Sequence, residues 1–126
     1  MKLLLDTHAL LWALSAPERL SSRVVQRLED ADTVVFASSA TTWEIAIKAA
    51  LGKLEVNMEE VVSEIRYLGF LELPVSIAHT ERLRELPAHH RDPFDRILVA
   101  QALAEGLALV SADPVLRQYP APIVWA

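Results

Sequence analysis

The chain has 126 residues, close to the usual size of one domain, and it is long enough to build a core without disulfides. It contains no cysteine, which excludes thiolate metal sites and leaves carboxylate oxygens or histidine nitrogens as metal ligands. The net charge of −5 excludes a protein that coats DNA through its overall charge, but it leaves open a nuclease with an acidic pocket and a basic rim. With 52% hydrophobic residues, we also expect apolar surface for an oligomer or a protein partner.

Residues 1–16 imitate a secretory signal peptide, because a lysine and a leucine-rich run lead to a small-residue ending. Asp6 and His8 interrupt that run. The remaining apolar pieces are shorter than a signal core and far shorter than a membrane span. We therefore expect a soluble protein, and the lack of cysteine is compatible with a cytoplasmic address.

Short apolar runs predict five strands, over residues 2–5, 34–37, 70–73, 107–110 and 122–125. Helical spacing predicts helices between them, over residues 8–14, 22–30, 41–51, 56–68, 76–86 and 93–105, with a short last helix from residue 114. Alternating strands and helices predict a parallel α/β sandwich with right-handed crossovers. In such sheets, ligands bind beyond the carboxyl ends of the strands.

Several residues mark the ends of these elements. Ser21 or Ser22 can cap the second helix. Thr41 and Glu44 have the spacing of a capping box, which predicts that the third helix begins there and ends at Gly52.

In the second half of the chain, the helix over residues 76–86 is expected to turn Ile77, Leu83 and Leu86 inward. Asp92 before Pro93 is the clearest helix start in the chain, and Gly106 is expected to end that helix. The strand over residues 122–125 begins with a proline, so we expect it at an edge of the sheet.

Four acids are placed where they can converge, and each also has a structural explanation. Asp6 follows the first strand, yet it can simply cap the next helix. Glu44 fits the capping box and stands four residues before Lys48, a favourable helical ion pair. Asp95 at the third position of its helix is stabilised by the helix dipole, and Asp113 can cap the last helix.

Taken together, the four acids lie at strand ends or in first helical turns, at the same end of the predicted sheet. Clustered carboxylates repel one another and need protons, arginines or a cation. Oxygen ligands favour Mg²⁺ or Mn²⁺, and the chemistry that follows is phosphodiester hydrolysis by metal-activated water. Ser111 can orient a ligand carboxylate, or it can be an ordinary loop serine.

Over nearly its whole length the sequence resembles the PIN-domain family, and within it the VapC toxins of toxin-antitoxin modules. The segments that carry the resemblance are Leu4-Leu5-Asp6-Thr7-His8 with Trp12, Ser39 through Trp43-Glu44-Ile45-Ala46-Ile47-Lys48 to Leu51-Gly52-Lys53-Leu54, His90-Arg91-Asp92-Pro93-Phe94-Asp95-Arg96 with Ala100-Gln101-Ala102, and Leu109-Val110-Ser111-Ala112-Asp113. This resemblance implies one PIN-like nuclease domain over residues 1–126. Its expected fold is a three-layer α/β/α sandwich with a parallel sheet of about five strands.

The resemblance also implies an endoribonuclease that depends on Mg²⁺ or Mn²⁺ and is inhibited by a cognate VapB-type antitoxin. It implies a homodimer that forms a hetero-oligomer with the antitoxin. The family's metal-binding and catalytic acids fall on Asp6, Glu44, Asp95 and Asp113. Asp92 is a further acid of the subgroup, which we expect to cap its helix and contact the metal through water. The family often has threonine where this chain has Ser111.

Basic residues near the acids are candidates for holding RNA phosphates, or they are solvated surface residues. They are Lys48, Lys53, His90, Arg91 and Arg96. Trp12 and Trp43 are expected to pack in the core or at a dimer face in preference to stacking on bases. His8 is a lesser candidate for the site.

Other functions fit less well. A haloacid-dehalogenase-like phosphatase needs a second aspartate where this chain has His8. A response-regulator receiver needs an aspartate after the third strand, where Pro74 and Val75 stand. Two alternatives stay open: a PIN-fold nuclease of RNA processing without a toxin role, and a catalytically weak module that binds RNA or protein.

Overall fold

The computed structural model describes residues 1–126 and has five parallel strands connected by helices. The strands are β1 (Lys2–Leu5), β2 (Val34–Ser38), β3 (Leu71–Leu73), β4 (Ala108–Ser111) and β5 (Ile123–Trp125). The α-helices are α1 (Thr7–Ser15), α2 (Ser22–Glu29), α3 (Ser39–Ala50), α4 (Met58–Tyr67), α5 (Ile77–Arg82) and α6 (Pro93–Glu105). Three 3₁₀ turns cover Pro17–Arg19, Leu83–Glu85 and Pro114–Gln118. The predicted α/β fold with a five-stranded parallel sheet is confirmed.

The strand order in the sheet is β3-β2-β1-β4-β5, so β1 is central and β5 is an edge strand, as predicted. Leu5, the last residue of β1, pairs with Ala37 of β2 on one side and Val110 of β4 on the other. The connections run outward from β1 in one direction and return to β4 on its other side. This reversal opens a crevice beyond the carboxyl ends of β1 and β4, where parallel sheets bind ligands.

Both faces of the sheet are buried, which gives the predicted three layers. Leu3 and Leu5 face one layer, where Leu10 of α1 and Val24 of α2 join the same core cluster. Leu4 faces the other layer and shares its cluster with residues of α6. The three leucines of β1 are completely buried, and each contributes about 2 kcal/mol through removal of its side chain from water. A rigid central strand thus positions the residue that follows it.

Helix α6 begins and ends where the sequence predicts. The Asp92 side chain accepts a hydrogen bond from the Phe94 amide at 2.8 Å, with Pro93 in the first helical position. Gly106 ends the helix with φ of 68°, a left-handed conformation that glycine adopts without steric cost. Ser21, the first of the two predicted alternatives, caps α2.

The predicted start of α3 at a Thr41–Glu44 capping box is wrong. Strand β2 continues directly into the helix, and the Ser38 side chain accepts a hydrogen bond from the Ala40 amide at 3.0 Å. Because α3 begins at Ser39, Glu44 lies in the second turn and not in the first. The Thr41 hydroxyl is buried without a hydrogen-bond partner.

The prediction that Ile77 faces inward is also wrong, since its side chain is 87% exposed. Ser76 and His79 form a capping box at the start of α5, in which His79 Nδ1 accepts a hydrogen bond from the Ser76 amide at 3.0 Å. This box turns His79 into the interior. Ile77 lies about 200° away around the helix and therefore faces solvent.

The remaining differences concern short elements. Asn57 caps α4, which therefore begins at Met58, two residues later than predicted. The last predicted helix is a 3₁₀ turn, and α5 ends at Arg82 before another such turn. None of the helices combines the length and apolar character needed to cross a lipid bilayer.

Candidate metal centre

The acids at the carboxyl end of the sheet share one pocket of about 410 Å³. Asp6 extends from the end of β1, Asp113 follows β4, and Glu44 and Asp95 come from α3 and α6. Asp92 lines the same pocket beside the start of α6. The structure thus brings together all four acids that the sequence singles out.

Asp6 both caps a helix and lines the pocket. Its Oδ1 accepts a hydrogen bond from the Ala9 amide at 2.9 Å. The side chain is only 5% exposed, and this burial raises the pKa of Asp6. Hydrogen bonds from Ser111 and Ala9 lower the pKa of Asp6, but by less than burial raises it.

Ser111 links two of the acids. Its hydroxyl is buried, contacts the Asp6 carboxylate, and accepts a hydrogen bond from the Asp113 amide at 3.0 Å. The Asp113 carboxylate in turn caps the 3₁₀ turn by accepting a hydrogen bond from Val115 at 2.9 Å. This chain of contacts holds Asp6 and Asp113 at fixed positions beside each other.

Both carboxylate oxygens of Glu44 have partners. Thr7 Oγ1 donates a hydrogen bond to Oε1 at 2.5 Å, and Lys48 Nζ donates one to Oε2 at 2.6 Å. Thr7 is a residue of this pocket that the sequence does not single out. The available signal was a hydroxyl side chain directly after the first acid.

His90, one of the candidates for holding RNA phosphate, lies among the acids. Its Nδ1 accepts a hydrogen bond from the Asp92 amide at 3.0 Å, so the proton of the neutral ring is on Nε2. Nε2 lies 2.7 Å from Asp113 Oδ2 and 3.1 Å from Asp95 Oδ2. The ligand atoms of these three residues lie within 4.8 Å of one another, a spacing that can hold a metal ion.

The other predicted rim residues separate into two groups. Lys48 lines the pocket, whereas Lys53, Arg91 and Arg96 do not. Arg96 donates hydrogen bonds to the Pro87 carbonyl at 2.9 Å and to the Tyr119 hydroxyl at 3.2 Å, which gives it a structural role in the loop before α6. His8 lines the pocket beside Asp6.

The two tryptophans considered in the sequence analysis differ, since Trp12 packs against the core and Trp43 does not. The Trp43 side chain is 63% exposed and packs edge-on against Phe94, with ring centroids 5.1 Å apart. Core packing is therefore the wrong interpretation for Trp43. Trp12 is partly buried, stacks on His8 and lies under the Arg19 guanidinium.

The donor set of the pocket suits a hard divalent cation. Its acidic groups supply carboxylate oxygens, and no arginine lines the pocket to neutralise them. Burial, followed by the charge of Asp92, raises the pKa of Asp95 to about 7. Carboxylates that raise one another's pKa in this way are typical of a site where a bound cation stabilises their charged forms.

The raised pKa of Asp95 predicts how the stability of the metal-free protein depends on pH. The pKa of Asp95 is about 7 in the folded chain, whereas its ordinary value is 3.8. Between these two pH values the folded state therefore binds more protons than the unfolded state does. Stability is therefore expected to fall as pH rises from about 4 to about 7. We expect Asp95→Asn to raise the free energy of unfolding by roughly 2–4 kcal/mol at about pH 8 and to change it little at about pH 4.

Urea unfolding in the presence of a chelator measures this difference. Asp32→Asn, at an exposed turn, is the matched control and should change stability little at either pH. An equal effect of Asp95→Asn at both pH values would contradict the prediction.

Residues 3–122 match the PIN domain family. Over 133 aligned positions the chain is 32% identical to ribonuclease VapC22 of Mycobacterium tuberculosis, and the alignment covers 97% of each protein. The fold is similar to that of a chain in the crystal structure of VapBC2 from Rickettsia felis bound to a DNA fragment from their promoter. That likeness has a TM-score of 0.74 and 19% identity and covers 100% of both chains.

Two further solved structures have similar folds. The first is FitAcB from Neisseria gonorrhoeae, with a TM-score of 0.62, 21% identity, and coverage of 98% of this chain and 96% of that one. The second is VapBC-1 from nontypeable Haemophilus influenzae, with a TM-score of 0.63, 18% identity, and coverage of 98% and 97%.

Proposed function

Because this chain belongs to the PIN domain family, we propose that it is an endoribonuclease that hydrolyses RNA phosphodiester bonds as the toxin of a toxin-antitoxin pair. The observation that carries the proposal is the shared pocket of Asp6, Glu44, Asp95 and Asp113. The relative in Mycobacterium tuberculosis supports it, since that protein is a ribonuclease and aligns over nearly the whole chain.

We propose that these four acids hold Mg²⁺ or Mn²⁺. A divalent cation bound there would polarise the phosphoryl oxygen and activate a water for attack on phosphorus. Asp6 and Asp95 are the most direct candidates, because burial disfavours the charged form of each carboxylate and a bound cation would offset that penalty. Asp92 supports the site from its cap position, where a contact through water is within its reach.

The chain's own residues hold the acids in place. Thr7 fixes one oxygen of Glu44, and Ser111 contacts Asp6 while it accepts a hydrogen bond from Asp113. The neutral His90 ring donates from Nε2 to Asp113, which orients that carboxylate. Such preorganisation lowers the cost of gathering several carboxylates around a phosphodiester.

RNA is a polyanion and the chain carries a net charge of −5, so substrate binding needs local positive charge. We propose that Lys48 at the pocket and the exposed Lys53 and Arg91 outside it contact phosphates. Sequence preference would then come from the shape of the RNA and scattered contacts at the rim.

We infer that the partner of this chain is a VapB-type antitoxin. Solved chains of similar fold come from VapBC and FitAcB structures, and the aligned relative in Mycobacterium tuberculosis carries the VapC name. We expect a homodimer of this chain that joins the antitoxin in a larger complex. Cellular RNA is the substrate, so we propose that the protein acts in the cytoplasm.

The test of the proposed chemistry is cleavage of total cellular RNA by the purified chain. We expect cleavage in Mg²⁺ or Mn²⁺, loss of cleavage when a chelator is added, and recovery when excess divalent cation is restored. The same chelator titration on a metal-independent ribonuclease controls for effects on the RNA itself. Cleavage that persists unchanged in the chelator would refute the metal mechanism.

A further inference from the structure

Lys48 is the one lysine that lines the acidic pocket, and no arginine does so. It lies one helical turn after Glu44 on α3, with Nζ 2.6 Å from Glu44 Oε2. The hydrogen bond to Glu44 is the main cause of a raised pKa for Lys48. The charges of Asp92 and Asp95 also raise the pKa of Lys48. The ammonium therefore lies near three carboxylates, one from α3 and two from the start of α6.

The two partners of Glu44 differ in mobility. Thr7 is a short, buried side chain at the first position of α1, so the position of its hydroxyl beside Oε1 is set closely by the backbone. Lys48 is a long side chain that is 38% exposed, and its four-carbon stem can move the ammonium without a change in the backbone. One oxygen of Glu44 is thus held by a short, buried side chain, and the other is held by a long side chain that can move away.

An ordinary helical ion pair does not account for this contact. Exposed pairs of this spacing contribute about 0.3–0.5 kcal/mol and leave both charges in water. The Glu44 side chain, in contrast, is only 5% exposed, and its charge needs a partner whenever the pocket holds no other cation.

We propose that the Lys48 ammonium is a built-in counter-cation, which occupies Glu44 Oε2 in the metal-free pocket and is displaced from it when a divalent cation binds. This inference rests on the metal site of the proposed function. Displacement frees Glu44 for the cation and turns the ammonium toward the mouth of the pocket, where an RNA phosphate can bind it. Lys48 is then a positioning residue that sets the metal affinity of the site.

Mn²⁺ titration of the metal-free protein tests the proposal without RNA cleavage, with free Mn²⁺ followed by electron paramagnetic resonance. Lys48→Gln keeps an N–H donor and removes the competing charge. We expect it to tighten Mn²⁺ binding about tenfold, which corresponds to about 1.4 kcal/mol. Lys53→Gln makes the same change in net charge outside the pocket and should change the affinity less than about twofold.

The titration separates the two proposals. Wild-type protein that binds Mn²⁺ with the same affinity as Lys48→Gln overturns the role of Lys48 and leaves the metal site intact. Weaker binding by Lys48→Gln overturns it as well. Wild-type protein that binds no Mn²⁺ overturns the metal site itself, and the role of Lys48 with it.

A second measurement uses the wild-type chain, so it does not depend on how a variant folds. The ammonium protons of Lys48 should exchange slowly in the metal-free protein because Glu44 holds them, and NMR detects them directly. Saturation with Mg²⁺ should abolish this protection, and Glu44→Gln should abolish it without metal. Protection that survives saturation with Mg²⁺ overturns the proposal.

Discussion

Replacement of Asp95 or Asp6 by asparagine is expected to lower RNA cleavage by about a thousandfold. Each substitution removes a carboxylate charge proposed to hold the divalent cation. Stabilisation of transition-state charge by such a cation amounts to several kcal/mol, and about 1.4 kcal/mol corresponds to a tenfold change in rate. The measurement is the initial rate of cleavage of total RNA in saturating Mg²⁺ or Mn²⁺.

Asparagine also separates the two roles of Asp6. It caps helices as well as aspartate does, so the hydrogen bond from the Ala9 amide is retained in Asp6→Asn. A residue that only caps α1 should therefore tolerate the change. Full activity of Asp6→Asn would assign Asp6 to the helix cap alone.

Two control variants calibrate the loss. Asp92→Asn keeps the cap of α6, and we expect it to reduce the rate by about tenfold, in keeping with a contact through water. Asp32→Asn lies on an exposed turn away from the pocket and should leave the rate unchanged. If Asp32→Asn and Asp95→Asn were equally impaired, the loss would not come from the pocket.

Expression of the wild-type chain without its partner is expected to arrest growth. An unrestrained endoribonuclease destroys cellular RNA, whereas Asp95→Asn should be harmless at the same level of protein. Colony counts after induction measure the effect, and immunoblots confirm equal expression. We also expect a neighbouring reading frame to encode a small antitoxin, and co-expression of that protein to restore growth.

The outcome of this experiment separates toxin from other ribonucleases. Growth that continues while the purified chain cleaves RNA would point to a nuclease of RNA processing without a toxin role. Arrest by Asp95→Asn as strongly as by wild type would show that toxicity does not depend on the acidic pocket.

Local features of the sequence were sufficient to predict most of the elements and the firmest acids. Asp92 before Pro93 and Gly106 after the helix are signals that depend only on neighbouring backbone groups, and they mark both ends of α6. A short apolar run followed by Asp6 likewise places a carboxylate at the end of a buried strand. These predictions hold because caps and apolar periodicity act over a few residues.

Two local predictions failed where another signal was stronger. Ser38 caps α3 directly from the end of β2, which moved the helix start ahead of the Thr41–Glu44 spacing. Glu44 reaches the pocket from the second turn, where its partners are Thr7 and Lys48. A capping box at Ser76 and His79 set the phase of α5 and exposed Ile77.

Only the tertiary structure decided where His90 lies. The His90 amide donates a hydrogen bond to the Tyr119 hydroxyl at 2.8 Å, and Arg96 holds the same hydroxyl from α6. These contacts fold the loop over the pocket and bring the His90 ring between Asp95 and Asp113. Tyr119 stands 29 residues away in the chain, and no local pattern encodes a contact at that separation.

The sequence by itself thus determined the α/β class, both ends of α6 and the set of acids that line the pocket. The tertiary structure determined which distant side chains meet those acids: Thr7 at Glu44, Ser111 at Asp6, and His90 at Asp113. The contact of Lys48 with Glu44, in contrast, follows from their spacing on one helix. The physical reason is the range of the interactions. Caps and periodicity act within one or two helical turns, whereas the partners of a buried charge come from whichever elements the sheet brings together.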